Sequence, residues 1–230
     1  MKKYTLLAVL FLMTQNVFAG ENSAYTFHWL DPDKVIYVLQ NKVFEKEGTW
    51  YANIGYGSQT SNDFQSAKNL QFKTGYFFHE EWGVEAVYST ISNSNSDTFN
   101  NISASSVAVP FVRKYNSYFG AMAIYSPFYA KINTFNQIFY FDVSFGLGVA
   151  SIDAESNKTA FRTENANLGF EAESFTGLLY KLGFRLYISR HWNLNFDILR
   201  QTFSAEKVKN PSEKTFKTET DMILAVGFTL

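Results

Sequence analysis

The chain has 230 residues and a formal net charge of −1, contains no cysteine, and is rich in aromatic residues, with 24 Phe and 14 Tyr. The absence of cysteine excludes disulfides, cysteine-ligated metals, thiol nucleophiles and a lipidated N-terminal cysteine. The near-neutral charge gives no sign of nucleic-acid binding, and the length suits a single domain.

Residues 1–19 are predicted to be a secretory signal peptide. Two N-terminal lysines precede an apolar run at 6–13, and Val-Phe-Ala ending at Ala19 forms a small-x-small cleavage site. A membrane-anchoring helix fits less well, because polar residues interrupt the run far short of the roughly 20 residues that a span needs. The mature chain would begin near Gly20. It has no other long apolar run, so only a closed barrel could carry it across a bilayer.

The segment 20–48 is expected to lie in the periplasm as a lead-in to the barrel. It is apolar at 35–39 and then charged at Lys42, Glu45, Lys46 and Glu47. A short extra strand and a plug under the mouth of the barrel are both compatible with this pattern.

From residue 49 onward the chain is predicted to form strands, because apolar residues alternate with small or polar ones. In the clearest case, the odd positions of 139–149 are Phe, Phe, Val, Phe, Leu and Val, and the even positions from 140 to 150 are Tyr, Asp, Ser, Gly, Gly and Ala. Successive side chains of a strand point to opposite faces of the sheet. The predicted strands are eight in number and cover residues 49–57, 70–78, 82–91, 118–128, 138–150, 174–188, 192–204 and 218–230.

The composition of the polar face indicates which face is outside. A soluble barrel or sandwich also alternates, but its solvated face should carry many long charged residues. Here the polar face is rich in Gly and Ser with a few isolated charges, which suits a narrow, crowded lumen. We therefore expect the apolar face to contact lipid.

The connections between the strands alternate in length. Long polar connections at 58–69, 92–117, 151–173 and 205–217 alternate with short ones at 79–81, 129–137 and 189–191. This layout is typical of bacterial outer-membrane barrels with both termini in the periplasm. The sequence thus predicts an all-β, eight-stranded antiparallel transmembrane up-and-down β-barrel at 49–230, exported to the outer membrane.

Two of the short turns are followed by tryptophan, Trp82 and Trp192. The indole ring is apolar but carries an N–H group, and it prefers the boundary between membrane and water. We interpret both residues as interfacial anchors, although ordinary aromatic residues at strand starts would give the same pattern.

The sequence also resembles a known family. Segment 75–85 (Gly-Tyr-Phe-Phe-His-Glu-Glu-Trp-Gly-Val-Glu), segment 126–132 (Ser-Pro-Phe-Tyr-Ala-Lys-Ile) and the aromatic-rich strand from Ile138 are similar to the myxobacterial-type (deltaproteobacterial) outer-membrane beta-barrel domain family. The resemblance covers 35–230 and departs at Ala130, where a turn glycine is expected. It implies a fold and a location, but no assigned reaction and no site residues.

Six charged residues are expected to face the lumen. The interior of an eight-stranded barrel is just wide enough for side chains to fill, and buried charges must be paired. We interpret the set as ion pairs that hold the lumen shut, with a proton or solute path as the alternative. The three acids and three bases are Lys73, Glu85, Asp142, Lys181, Arg185 and Asp197.

Catalytic chemistry has little support in the sequence. A histidine base should lie at the lipid boundary or in the external loops, where substrate arrives. His28 lies in the N-terminal segment, and His79 and His191 lie in predicted periplasmic turns. No two histidines have metal-ligand spacing, so we expect no cofactor and no metal.

The expected function is therefore a structural or surface-interaction role through the external loops, without catalysis. A narrow solute channel is the first alternative, and a lipid-modifying outer-membrane enzyme is the second. The loop at 151–173 is acidic and the loop at 205–217 is basic. The two loops could attract each other, could be merely solvated, or could bind divalent cations and lipopolysaccharide phosphates respectively.

The expected partners follow from the location in the outer membrane. They are outer-membrane lipid, lipopolysaccharide, and the barrel assembly machinery, which would engage the C-terminal strand at 222–230. The lipid-facing residues of this strand are Met222, Leu224, Val226, Phe228 and Leu230.

Overall fold

A computed structural model describes residues 42–60, 64–105, 110–134, 137–163, 169–208 and 213–230, without the side chains of 102–105. The chain divides into two units, Met1–Val43, of which only Lys42 and Val43 are described, and Phe44–Leu230. The predicted signal peptide at 1–19 and the part of the lead-in up to residue 41 lie outside the described residues.

The second unit is a closed ring of eight antiparallel strands, in which each strand pairs with the next and the last pairs with the first. This confirms the predicted up-and-down barrel. The strands are β1 (Trp50–Gln59), β2 (Gln65–Phe77), β3 (Trp82–Asn95), β4 (Arg113–Thr134), β5 (Gln137–Ser156), β6 (Glu171–Tyr187), β7 (Trp192–Glu206) and β8 (Lys214–Thr229).

Two short helices occur in the described part of the chain. Helix α1 (Asp97–Ser105) lies in the connection between β3 and β4, and α2 (Lys158–Thr163) lies in the connection between β5 and β6. Neither described helix is long and apolar enough to cross a membrane.

Several strands extend further than the sequence predicted at the end away from the termini. For example, β2 begins at Gln65 and pairs with β3 as far as Asn95. The pairing uses backbone groups alone, so it continues where polar side chains on both faces hide the alternation. At the opposite, periplasmic end the predicted turn at 129–137 is wrong, because β4 continues to Thr134 and β5 begins at Gln137.

The alternation places apolar side chains on the outside of the ring and most polar ones inside. Leu147 and Leu224 are 59% and 62% exposed on the outer face, whereas Asn69, Gln71 and Asp221 are fully buried inside. A soluble barrel would have the reverse arrangement. The expected facing is therefore confirmed, although the interior also holds apolar residues that the Gly- and Ser-rich pattern did not emphasise.

The end of the barrel with short turns also carries both described chain ends. The turns before Trp82 and Trp192 share one geometry, in which the tryptophan carbonyl accepts the backbone N–H groups of two preceding residues. In bacterial barrels this end faces the periplasm, and the opposite end faces the outside of the cell.

The facing can be tested with Leu182→Arg. Leu182 is 44% exposed in the middle of the outer face of β6, where an arginine side chain should cost about 2 to 4 kcal/mol of folding free energy in a bilayer. Denaturant unfolding in lipid vesicles measures this cost.

The matched control is Ser174→Arg, on the same strand near its outer end, where Ser174 is already exposed. The control should change the unfolding free energy little. Equal effects at the two positions would contradict the assigned facing.

Candidate functional site

Four of the six predicted lumen charges form one network in the middle of the barrel. The Lys181 ammonium lies 2.8 and 2.7 Å from the two carboxylate oxygens of Glu85 and 3.8 Å from Asp197 Oδ1. The other oxygen of Asp197 accepts a hydrogen bond from Lys73. All four side chains are buried. Two acids and two bases thus neutralise one another, and we call this set the central network.

A glycine on the inner face, Gly183, leaves space for the side chains of the central network. Gly183 pairs with Asp197 on β7 and with Ser144 on β5. A Cβ atom at Gly183 would lie 2.6 Å from Ser144 Oγ and 2.7 Å from Asp197 Oδ1. Only glycine therefore lets both polar side chains share this part of a narrow lumen.

The remaining two predicted lumen charges lie together closer to the periplasmic end. Asp142 on β5 is paired in register with Arg185 on β6. The Tyr187 hydroxyl donates to Asp142 Oδ2 over 2.6 Å. The Arg185 guanidinium lies over the Tyr51 ring at 4.7 Å from its centroid, and Arg185 Nε donates to Asn195 Oδ1. We call these residues the periplasmic group.

The chain ahead of β1 adds a lysine to this group. Lys46 Nζ donates to Ser126 Oγ over 2.8 Å and lies 3.5 Å from Asp142 Oδ2. Burial lowers the pKa of Lys46, and the nearby Asp142 carboxylate partly opposes that shift. Phe44 stacks on Tyr187 with ring centroids 4.7 Å apart. Residues 44–48, which we call the cap, therefore lie across the periplasmic mouth and form no strand.

Two irregularities of the backbone position the cap. Gly48 has φ = 75°, a left-handed conformation that favours glycine, and turns the chain into β1. On β4 the register shifts between Tyr125 and Phe128, around Pro127. A bulge tolerates proline because its ladder is already interrupted. Ser126, at this bulge, is buried and accepts the Lys46 hydrogen bond.

A layer of apolar side chains fills the lumen on the outer side of the central network. Leu179 of β6, Leu199 of β7 and Ile223 of β8 each have 0% exposure. Along the inner face of β7, Leu199 lies between Asp197 of the central network and Gln201. We call these three residues the apolar layer.

An outer group of polar residues lies beyond the apolar layer. It consists of Glu219 and Asp221 of β8, which were not among the six predicted lumen charges, with the side chains around them, Gln59, Asn69, Gln71, Arg113, Tyr115, Tyr118, Glu173, Gln201 and Lys217. The positions of the two β8 acids alternate with the outward-facing Met222 and Leu224, so the period-two pattern was a sufficient signal. Asp221 Oδ2 accepts a hydrogen bond from Gln201 Nε2 over 3.2 Å.

The predicted anchors Trp82 and Trp192 lie on the outer face at the starts of β3 and β7, 45% and 52% exposed. Trp82 packs against Tyr125 with ring centroids 4.5 Å apart, and Trp192 against Phe228 at 5.2 Å. Their role as interfacial anchors remains a prediction.

The external connections contact one another. Arg162 lies 3.8 Å from Glu206 and donates through Nε to the Val208 carbonyl over 2.9 Å. The acidic connection thus supplies the cation and the basic one supplies the acid, opposite to the sense suggested by their net charges. Lys158 lies between Glu173, at 3.4 Å, and Glu171, at 3.7 Å.

The residues considered for catalysis are not brought together. His79 and His191 are exposed in separate periplasmic turns, and His28 lies outside the described residues. Within the described ranges, no three His, Cys, Asp or Glu side chains are grouped so that they could hold a metal ion.

Comparison with known proteins gives one family and several solved structures. The family model for the outer membrane protein beta-barrel domain matches residues 38–228. No curated protein matches the chain in sequence. The N-terminal β-barrel domain of OprF from Pseudomonas aeruginosa is 14% identical, with a TM-score of 0.47 over 80% of this chain and 98% of that one.

Two further structures are similar at the same level. OprG from Pseudomonas aeruginosa is 15% identical, with a TM-score of 0.43 over 81% of this chain and 98% of that one. Neisserial surface protein A is 12% identical, with a TM-score of 0.47 over 78% of this chain and 95% of that one.

The energetic coupling within the central network can be tested with Asp197→Asn. This change leaves Lys73 without its carboxylate partner and removes one of the two that face Lys181. It should therefore destabilise the folded barrel by about 3 to 5 kcal/mol. Denaturant unfolding measures the loss. The double variant Lys73→Gln with Asp197→Asn restores neutrality and should recover part of the stability, and an additive double variant would contradict the coupling.

Proposed function

The chain belongs to the outer membrane protein beta-barrel domain family, and from that premise we propose that it has a structural or surface-interaction role, without catalysis, exerted through its external connections. It is an integral protein of the bacterial outer membrane. The observation that carries the proposal is the filled middle of the lumen.

Two successive barriers support a closed lumen. The central network fills one level with four charged side chains that are bonded to one another. The apolar layer fills the next level with three fully buried side chains. An ion that entered would have to separate the buried ion pairs and then cross an apolar constriction, and both steps are costly.

The external end supports a surface role because the strands there extend well past the membrane. Strand β6 has 17 residues and β8 has 16, whereas a tilted spanning strand needs about 9 to 11. The extra length holds α1, α2 and the contacting connections away from the lipid. These elements form a charged surface on which a partner could bind.

Two alternative functions have weaker support. A narrow channel would require the central network and the apolar layer to be mobile. A lipid-modifying enzyme would require a base near the lipid boundary, and the described histidines lie in the periplasmic turns. The myxobacterial-type resemblance stays a prediction that rests on segments 75–85 and 126–132.

Lipid partners and the assembly machinery belong to the same proposal. At the outer end of β8, Lys214 is exposed on the same side of the strand as Phe216, which is 79% exposed. An apolar ring beside an ammonium group suits the boundary between acyl chains and phosphates of lipopolysaccharide. The outward apolar side chains at 222–230 would engage the assembly machinery.

The closed lumen predicts that the purified protein gives no steady conductance in a planar bilayer. A variant that opens both levels, with Glu85→Ala and Lys181→Ala in the central network and Leu199→Ala in the apolar layer, should conduct more than the wild type and tests the sensitivity of the assay. Steady openings of the wild-type protein would overturn the closed-lumen proposal and favour the channel.

The lipopolysaccharide contact predicts an effect of Lys214→Glu. Reversing this charge should weaken the binding of fluorescent lipopolysaccharide several-fold, since one lysine near an anionic surface contributes about 1 kcal/mol. Thermophoresis of the protein in detergent micelles measures the affinity. Lys131→Glu, at an exposed site on the periplasmic end of β4, is the matched control and should have little effect. Equal effects would refute the contact.

A further inference from the structure

The outer group contains two buried carboxylates at one level of the lumen. Glu219 and Asp221 are two residues apart on β8 and therefore point to the same side of the strand. They are 7% and 0% exposed. Within the described ranges, Asp221 forms no ion pair. Two cations, Lys217 and Arg113, lie near Glu219, and Arg113 is also bonded to Glu173 through Nε at 2.8 Å.

Each carboxylate keeps one oxygen without a hydrogen bond. The Asn69, Tyr118 and Gln59 side chains approach the Asp221 carboxyl and Gln201 donates to its Oδ2, but Asp221 Oδ1 has no hydrogen-bond partner. Tyr115 is hydrogen-bonded to the Glu219 carboxyl, and Glu219 Oε2 has no partner. A buried carboxylate oxygen without a donor or a cation is costly.

Three buried amide oxygens without donors come from strands that face these carboxylates. Gln59 of β1 is paired in register with Asp221, and Asn69 of β2 lies beside the Asp221 carboxyl. Gln71 of β2 donates to the Tyr118 hydroxyl over 2.9 Å, so its nitrogen is used and its oxygen is not. The unpaired amide oxygens are Gln59 Oε1, Asn69 Oδ1 and Gln71 Oε1, and Asn69 Nδ2 is the one unpaired nitrogen among these groups.

The distribution of charge along the lumen singles out this level. The central network has as many acids as bases, and the periplasmic group with Lys46 has an excess of cations. In the outer group, three acids (Glu173, Glu219 and Asp221) face two cations (Arg113 and Lys217), and Asp221 is the acid that forms no ion pair in the described ranges. The chain therefore concentrates negative charge and unpaired oxygens at the outer end of the lumen.

We propose that the outer group is a binding site for one divalent cation of the calcium type, held between Asp221 and Glu219 with amide oxygens from β1 and β2. Calcium takes six to eight oxygen ligands from carboxylates, amide carbonyls and waters, in flexible geometry. A divalent ion would supply the positive charge that Asp221 lacks and would contact the unpaired oxygen of Glu219. Water alone could donate to the oxygens but would leave the buried Asp221 charge without a counterion. On β7, Leu199 lies between Asp197 of the central network and Gln201, which bonds Asp221, and the proposal does not depend on a closed lumen.

Terbium luminescence tests the proposal. Tb³⁺ replaces Ca²⁺ at oxygen sites and is excited by nearby tyrosines, which Tyr115 and Tyr118 provide. The folded protein in detergent micelles, freed of metal with a chelator, should show tyrosine-sensitised luminescence with Tb³⁺ alone. Ca²⁺ should displace the Tb³⁺ with a dissociation constant of about 10⁻⁴ to 10⁻³ M, as in extracellular calcium modules. Ca²⁺ should also raise the melting temperature, because it binds the folded state.

The variants Asp221→Asn and Glu219→Gln should each weaken calcium binding by roughly tenfold or more, since the charge of the ligand set controls affinity. Asp153→Asn, at an exposed carboxylate on β5, is the matched control and should leave binding unchanged. The mobility of unheated samples in detergent gels reports whether each variant has folded. If neither acid variant folds, Gln59→Met tests the same site without a change of charge and should weaken binding.

Three results would overturn the proposal. The first is an absence of luminescence that Ca²⁺ displaces. The second is wild-type affinity in Asp221→Asn or, where that variant does not fold, in Gln59→Met, which would indicate an adventitious ion only. The third is equal displacement by Na⁺ at the same concentration, which would indicate a diffuse negative field. Displacement by Mg²⁺ as strong as that by Ca²⁺ would refute the calcium-type assignment.

Discussion

The structure depends on the closure of its backbone hydrogen-bond ladder. Hydrocarbon offers no partner to an exposed N–H or C=O group, so a sheet can cross a bilayer only when its first and last strands pair. Here β1 and β8 pair from Tyr51 and Thr229 to Gln59 and Asp221. The closed ring has eight strands, and the number of strands determines the width of the lumen. Every residue of the inner face must then fit within a narrow cylinder.

The narrow interior explains why polar chemistry is arranged in levels. Charged side chains cannot turn away toward water, so each must find a partner on another strand or in a ligand. The periplasmic group and the central network meet this requirement with residues of the chain itself. The outer group does not, because Asp221 has no ion-pair partner in the described part of the chain and has one oxygen without a hydrogen bond. Glycines such as Gly183 are a second consequence, since a β-carbon there would displace the side chains beside it.

The period-two pattern was enough to predict the strands and their facing, and the six charges that it assigned to the lumen are buried. It could not predict their partners. Lys181 and Glu85 are 96 positions apart in the chain, and they meet because the stagger between strands brings them to one level. That stagger depends on all eight registers together. Strand ends were underestimated where polar residues occupy both faces. Lys46 was predicted only as part of the lead-in. Its hydrogen bond to Ser126 depends on the bulge around Pro127, and the alternation of residues along a strand does not reveal a bulge.

The cap has a consequence for the size of the ring. The cap runs directly into β1, yet its Lys46 contacts Asp142 on β5. Strand β5 is four strands away from β1 and therefore lies opposite it in a ring of eight. A wider or narrower circle would put that carboxylate out of register with the ammonium group. The ion pair between Lys46 of the cap and Asp142 can therefore form only after a barrel of the correct circumference has closed.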